Sequence, residues 1–260
     1  MANTIVMIHG MCCGGWCWEN YQSFFEAQGF QCLTPTLRYH DMNPEASPDP
    51  RLGSTSLLDY AADLEALIRG LDEPPIIMGH SMGGLLAQIL GSRGLGRALV
   101  LITPASPAGI LALRFSVIKS FSEALSRWGF WKKPQRPSFR MAVYGLLHRL
   151  PEPQQREIYQ KMVYESGRAA AEIGFWYLDP HHASRVDETK ITCPVLVLGA
   201  KEDRATPAAV VRKVARKYQH VATYKEYEDH AHWLLAEPGW ETIAGDILHW
   251  LREKGVVITS

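Results

Sequence analysis

Short apolar runs of strand length alternate with helix-length segments along most of the chain. The strand-like runs are residues 4–8, 31–37, 75–78, 98–102, 194–198 and 223–227. Helical segments follow them at residues 16–28, 57–71, 84–90, 208–217 and 240–252. In such a chain each helix carries the backbone back across the sheet, so neighbouring strands run parallel. The pattern predicts an α/β fold with a mostly parallel sheet of about six strands and helices on both faces.

The alternation is interrupted once, between residues 107 and 187. This stretch contains only helical patterns, punctuated by Gly129, Pro134, Pro137, Pro151 and Pro153. An insertion between two core strands is most simply a helical cap over the carboxyl edge of the sheet, where open α/β sheets have their active sites. We therefore predict a core formed by residues 1–106 and 188–260 and a helical cap formed by residues 107–187.

The composition of the chain is that of a globular protein and argues against some classes of partner. The 260 residues are 47% hydrophobic and 21% charged, which is typical of a globular chain with a large core. The 27 basic and 27 acidic residues balance, so no nucleic-acid partner is expected. No apolar run approaches the roughly 20 residues that span a bilayer. No basic segment precedes the first strand, so we expect no signal peptide.

Cysteine usage indicates a reducing compartment. The chain has five cysteines, an odd number that argues against a disulfide framework and favours a cytoplasmic protein. Cys12, Cys13 and Cys17 lie close together, but no second group of ligands follows at the spacing of a zinc site. We interpret them as small buried side chains and expect neither a metal nor another cofactor.

The most informative motif is Gly79-His80-Ser81-Met82-Gly83, which stands between the apolar run 75–78 and the helical segment 84–90. A strand that turns sharply into a helix needs glycines beside the apex, because side chains there would collide with neighbouring backbone. Such a turn holds the serine in a strained conformation with its hydroxyl exposed. The context is that of a nucleophile elbow, and Ser81 is the predicted nucleophile.

A serine nucleophile needs a base, and the base needs an orienting acid. The loop 201–207 follows an apolar strand and carries Asp203, which we favour over the adjacent Glu202 as the acid. After the next strand the chain has two histidines, of which His232 is the predicted base and His230 a solvated or supporting residue. Along the chain the serine is followed by the acid and then by the histidine, which is the order expected for a triad whose serine lies in such an elbow.

Acyl transfer also needs donors for the oxyanion that develops on the substrate. One predicted donor is the backbone N–H of Met82, directly after the serine. The other is the backbone N–H of Met11, in the glycine-rich loop 9–16 that follows the first strand.

Together these motifs resemble the α/β-hydrolase fold superfamily over essentially the whole chain. The residues that carry the resemblance are His9-Gly10, Gly15-Trp16-Cys17-Trp18, GHSMGG at 79–84, Asp203 and His232. The opening HGMCCGGWCW is similar to that of small esterases, plant methylesterases and hydroxynitrile lyases. The resemblance implies a serine hydrolase that cleaves carboxylic esters through an acyl-enzyme, with Ser81, His232 and Asp203 as its triad.

Departures from the family pattern narrow this expectation. Dehalogenases and epoxide hydrolases of the superfamily have an aspartate where this chain has Ser81. Hydroxynitrile lyases have a threonine and a lysine where this chain has Gly10 and Trp233, which argues against cyanohydrin cleavage. The same triad also serves thioesterases, lactonases and C–C bond hydrolases. A non-catalytic small-ligand receptor on this fold is the alternative from another class.

The first half of the predicted cap is strongly basic. Between residues 107 and 150, Glu123 is the only acid and the basic residues are Arg114, Lys119, Arg127, Lys132, Lys133, Arg136, Arg140 and Arg149. Apolar positions at helical spacing are Ile110, Leu113, Val117, Phe121 and Leu125. We hypothesise that this apolar face roofs a pocket for an apolar acyl or aryl group, while the basic residues face an anionic surface or substrate. A solvated basic face over an ordinary core contact is the alternative.

Overall fold

A parallel six-stranded sheet forms the centre of the structure, a computed structural model that describes residues 4–112 and 114–257. Its strands are β1 (Thr4–Ile8), β2 (Gln31–Leu33), β3 (Ile76–His80), β4 (Ala98–Ile102), β7 (Val195–Ala200) and β8 (Ala222–Tyr227). Their order is β2-β1-β3-β4-β7-β8, and every neighbouring pair is parallel. The predicted sheet is therefore confirmed in strand number and in direction.

The strand order determines where the site lies. The first strand, β1, lies one place from the edge of the sheet; the chain then moves out to the edge strand β2 and crosses back to β3 on the other side of β1. Loops that leave β1 and β3 at their carboxyl ends therefore diverge and leave a crevice between them. These are the loop after Ile8, which contains Met11, and the elbow at Ser81.

Helices cover both faces of the sheet, as predicted. Alternate strand residues point to opposite faces, so Ile5 and Met7 lie in one buried cluster and Val6 and Ile8 in the other. The first cluster includes helices α1 (Glu19–Glu26) and α10 (Trp240–Glu253). The second includes helices α2 (Leu57–Arg69), α3 (Met82–Ser92) and α9 (Ala208–Lys217).

Most predicted boundaries are within two residues of the observed ones, with two larger differences. The strand predicted over 31–37 ends at Leu33, because Pro35 has no N–H for the ladder and the Leu37 N–H donates instead to the His9 ring. The helix predicted over 16–28 begins as a 3₁₀ turn, Gly15–Trp18, and continues as α1.

Residues 107–187 contain helices, but not only helices. The α-helices are α4 (Phe115–Ser120), α5 (Ser122–Leu125), α6 (Phe139–Ala142), α7 (Glu152–Lys161) and α8 (Gly167–Gly174). Two short antiparallel strands, β5 (Pro134–Gln135) and β6 (Glu165–Ser166), also pair there, so the prediction of helices alone is wrong. Strands of two residues leave no alternating pattern to read. The Gln135 side-chain amide donates to the backbone oxygens of Phe130 and Lys133, which stabilises the turn that leads into β5.

The predicted apolar face of the cap is not one continuous helix. Ile110 precedes α4, and Phe121 separates α4 from α5. Leu113 lies outside the described residues, as do residues 1–3 of the N-terminus. Among the residues that the structure does describe, none belongs to a helix with the length and apolarity that a bilayer crossing demands.

Candidate active site

Ser81 stands at the apex between β3 and α3 with positive backbone dihedral φ, +54°, and ψ of −118°. Positive φ is strained for a serine, as the elbow prediction requires. A Cβ on Gly79 would lie 2.2 Å from the Gly83 carbonyl oxygen, and one on Gly83 would lie 2.0 Å from that of Ile8. Only glycine fits at both positions, which explains the motif sterically.

The backbone of Ser81 is held from both sides. Its N–H donates to the Ile102 carbonyl at 3.0 Å, and its carbonyl accepts from the N–H groups of Gly84 at 2.9 Å and Ala105 at 2.8 Å. Bonds from β4, from α3 and from the loop after β4 therefore fix the strained residue. This fixed backbone holds the Ser81 side chain on the wall of a cavity.

His232 and Asp203 meet in the interior. The His232 Nδ1–H donates to Asp203 Oδ2 at 2.8 Å, and both side chains are almost fully buried. Asp203 Oδ1 accepts from the backbone N–H groups of Ala205 and Thr206, each at 2.8 Å. Burial raises the pKa of Asp203, but the charge and hydrogen bond of His232 and the bonds from Thr206 lower it by more, so the net pKa lies below its usual value.

Thr206 and Thr103 add contacts that the sequence did not indicate. The Thr206 hydroxyl lies 2.8 Å from Asp203 Oδ2, 3.0 Å from the Thr103 carbonyl oxygen and 3.3 Å from His232 Nδ1. The Thr103 hydroxyl donates to the His232 carbonyl at 3.2 Å. The sequence signal for Thr206 was its place in the loop between Asp203 and Pro207, but the chain alone does not say where a hydroxyl there would point.

Glu237 organises the loop that carries His232. Its two carboxylate oxygens accept from the N–H of Ala231 at 2.8 Å and from the N–H of Trp233 at 3.0 Å. These residues directly precede and follow His232, so one buried side chain holds the backbone on both sides of the predicted base. Sequence reasoning missed Glu237, because nothing in the chain alone shows that its side chain folds back to this loop.

Glu202 and His230, the alternatives to Asp203 and His232, lie near the site but make other contacts. Glu202 is exposed and forms an ion pair with Arg149 at 3.6 Å. His230 pairs with Glu237 at 3.3 Å, away from Asp203. His80 lies under the site: its ring centroid is 4.8 Å from that of His232, and its Nε2–H donates to the His232 carbonyl at 2.9 Å. Burial, with a smaller contribution from His232, lowers the pKa of His80 to about 3.

The loop after β1 brings Gly10 and Met11 to the same cavity. The Leu37 N–H donates to His9 Nε2 at 3.0 Å, so the His9 proton is on Nδ1, which donates to the Gly10 carbonyl at 2.8 Å. The carbonyl and the N–H of a trans peptide point in opposite directions. In the peptide between Gly10 and Met11 the carbonyl faces the His9 ring, so the Met11 N–H faces away from it. A Cβ on Gly10 would lie 2.9 Å from the Ser81 Cβ, so a threonine there would crowd the serine.

Residues of the cap segment hold this loop from the other side. The Cys12 carbonyl accepts from the Val163 N–H at 2.9 Å, and the Cys12 N–H donates to Glu165 at 3.4 Å. Glu165 is fully buried and also accepts from Tyr60 at 2.8 Å and pairs with His40 at 3.1 Å. Burial raises the pKa of Glu165, but the charge and hydrogen bond of His40, together with the bonds from Ser166 and Tyr60, lower it by more. The net pKa therefore lies below its usual value, and the carboxylate stays ionised.

The cavity has a volume of about 230 Å³ and is mostly apolar. Ser81, Met82, Met11 and His232 all line this cavity, so the structure places these predicted site residues around one space. Residues of the segment 107–187 also line it, and they include Ile110, Val117, Phe121, Leu125, Phe130, Leu146 and Phe175. The described members of the predicted apolar face thus share one cavity, although they belong to separate short elements.

An elbow serine, a buried histidine–carboxylate pair and a parallel sheet of this order define an α/β-hydrolase. The sequence profile of the alpha/beta hydrolase family matches residues 5–241, and the chain belongs to that family.

Known proteins similar to this chain include esterases. Methylesterase 4 of Arabidopsis thaliana is 34% identical over 88 residues, which are 32% of this chain and 32% of the methylesterase, so the match spans about a third of that relative. A non-heme chloroperoxidase of Burkholderia pyrrocinia is 25% identical over an alignment that covers 95% of this chain and 89% of the chloroperoxidase. A methylesterase structure from Arabidopsis superposes with a TM-score of 0.72 at 14% identity, covering 96% of this chain and 98% of that one, which shows the shared fold.

Proposed function

We propose that this protein hydrolyses carboxylic esters through an acyl-enzyme formed on Ser81. The observation that carries the proposal is the buried hydrogen bond of 2.8 Å between His232 and Asp203, beside the same cavity that Ser81 lines. A neutral imidazole held in this tautomer by a carboxylate presents its other nitrogen as a base.

The proposed reaction has two stages. His232 Nε2 takes the Ser81 proton as the hydroxyl oxygen attacks the ester carbonyl, and the oxyanion is bound by the backbone N–H groups of Met11 and Met82. The tetrahedral intermediate collapses, and His232 gives its proton to the leaving alcohol. Water, activated by His232 in the same way, then hydrolyses the acyl-enzyme. Asp203 stays ionised and stabilises the imidazolium, which its lowered pKa supports.

We propose an apolar acyl or aryl group as the part of the substrate bound under the cap, as in carboxylesterases and lipases. The support is the part of the cavity wall that residues 107–187 form, which is dominated by aliphatic and aromatic side chains. The names of the similar methylesterases point to esters as the bond class. In this proposal residues 107–187 form the cap, and residues 1–106 and 188–260 the core.

We also propose that the protein works in the cytoplasm. The five cysteines support this, because all of them are free thiols and four are buried.

The test is a rate profile on p-nitrophenyl esters of increasing acyl length and on matched acyl-thioesters and lactones. Esters are expected to turn over fastest, and Ser81→Ala should lower their kcat by about four orders of magnitude or more. Turnover confined to thioesters, lactones or a carbon–carbon bond would keep the triad but reject the ester assignment. Binding of the esters without turnover would reject the enzyme and favour a receptor.

A further inference from the structure

Exposed apolar side chains are concentrated on one part of the molecule. Among the described residues nine large hydrophobic side chains are exposed, and Leu58 is the only one outside two segments of the cap. The other eight, which we name the cap rim, are Leu111, Phe115, Ile118, Leu125, Trp128, Trp131, Tyr177 and Leu178. Phe115 is 80% exposed and Trp128 is 88% exposed, so these rings have almost no protein cover.

The two segments of the cap rim form one surface. The rings of Phe130 and Phe175, which stand beside them in sequence, have centroids 6.1 Å apart. Leu111, Ile118 and Tyr177 belong to the rim and also line the cavity. The cavity therefore reaches the surface between the two segments.

The longer of the two segments is strongly basic. Residues 111–133 contain one acid and five basic residues, all five exposed: Arg114, Lys119, Arg127, Lys132 and Lys133. The acid, Glu123, is satisfied by the backbone N–H and hydroxyl of Ser138, at 2.8 and 2.6 Å. Two of the five also have contacts within the protein: Lys133 donates to the Trp128 carbonyl at 3.2 Å, and the Lys119 ammonium lies 4.1 Å from the centre of the Tyr144 ring. Outside this stretch, Arg136 donates to the carbonyls of Pro44 and Tyr159.

We propose that the cap rim docks on the surface of a bilayer that contains anionic phospholipid. Exposed apolar patches of this kind mark interaction sites, and tryptophan and phenylalanine beside lysine and arginine are typical of surfaces that lie in the head-group region. The basic side chains contact lipid phosphates, while Phe115, Trp128 and Leu178 enter the boundary with the acyl chains. Where the ester proposal also holds, docking turns the cavity mouth toward the membrane, from which an apolar ester can enter.

The experiment is co-sedimentation of the full chain with vesicles of phosphatidylcholine alone or with about 30% phosphatidylserine. Binding to the anionic vesicles is expected to be at least about tenfold tighter than to the neutral ones and to weaken with salt. Phe115→Ser with Trp128→Ser, and separately Arg114→Glu with Lys132→Glu, should each lower the partition coefficient by at least about tenfold. The matched controls Leu58→Ser and Lys213→Glu, outside the cap, should bind like the wild type.

Several outcomes would overturn the proposal. The first is that the wild type does not bind anionic vesicles, the second that the rim variants bind as tightly as the wild type, and the third that the control variants lose as much binding as the rim variants. A concentration-dependent dimer that the Phe115→Ser/Trp128→Ser variant disrupts, without vesicle binding, would identify the rim as an interface between two copies instead.

The docking and ester proposals fail independently. Ser81→Ala should abolish turnover and keep vesicle binding. The rim variants should lose vesicle binding and keep turnover of a short, water-soluble ester, which also shows that they fold.

Discussion

At the scale of single residues, the arrangement around His232 depends on short bonds to side chains that do not themselves react in our scheme. Thr206 is the clearest case, because its hydroxyl contacts the Asp203 carboxylate and lies within 3.3 Å of His232 Nδ1. A hydroxyl at this point restricts both the carboxylate and the ring. It therefore limits the orientations of the imidazole, which in the proposed mechanism takes a proton from Ser81.

Replacing Thr206 by valine should lower kcat/KM for a good ester by about tenfold. The change keeps the shape of the side chain but removes one hydrogen bond to a buried charged group, which is worth about 1.5–3 kcal/mol, and the two backbone donors to Asp203 remain. Steady-state kinetics test this, with Thr242→Val on the exposed face of α10 as the control. An unchanged kcat/KM in Thr206→Val would show that this hydroxyl does not position the pair.

The sequence pointed to Asp203 and His232 because each stands in a loop that follows a predicted strand. It could not predict Thr206, Glu237 or Thr103, because their contacts depend on how irregular loops fold. His80 precedes Asp203 in the chain, so the expected order of serine, acid and histidine gives it no role. The structure puts it beside His232 as a supporting group.

At the scale of elements, the short strand β6 links the cap segment to the loop that carries Met11. Glu165 of β6 accepts from the Cys12 N–H, Tyr60 and His40, all in the core. Glu172 of α8 makes a second such link, accepting from the Ser56 hydroxyl and the Leu57 N–H at the start of α2. Both carboxylates join the same two parts of the molecule, but only Glu165 contacts the loop after β1.

This difference predicts different effects for two matched substitutions. Glu165→Gln leaves His40 without its buried counter-charge, so the free energy of unfolding should fall by about 3 kcal/mol. It also releases the loop with Met11, so kcat should fall by about tenfold or more with a smaller change in KM. Glu172→Gln should lower stability and leave kcat near the wild-type value. Equal kcat losses in both variants would contradict a specific role for Glu165.

Elements with many residues were predictable, and short ones were not. The six strands of the sheet and the five core helices follow from apolar periodicity, because burial on the sheet faces enforces it. Strands β5 and β6 have two residues each, and they pair segments that are far apart in the chain. The division of the predicted cap helix into α4 and α5 has no clear signal in the sequence either.

At the scale of the whole molecule, two fully buried histidines couple folding to pH. Burial lowers the pKa of His9 and that of His80 to about 3, against an ordinary value of 6.5. Above pH 6.5 both rings are neutral in the folded and in the unfolded chain. As the pH falls below 6.5, the unfolded chain takes up protons that the folded chain refuses, so stability decreases until the folded pKa is reached.

The contribution of His80 can be isolated with His80→Gln. Between pH 7.5 and 5.0 the wild type should lose about 2 kcal/mol of unfolding free energy because of this one histidine, and the variant should lose that much less. Urea denaturation at the two pH values measures the difference. Parallel losses in both proteins would mean that His80 is protonated in the folded state.

Labelling with diethyl p-nitrophenyl phosphate, followed by peptide mass spectrometry, tests the central claim most directly. The reagent phosphorylates an activated serine and leaves a stable adduct. We predict one diethylphosphoryl group on Ser81, with no adduct in Ser81→Ala and slow labelling in His232→Ala. An adduct on another residue, or ester turnover that survives complete labelling of Ser81, would contradict the account.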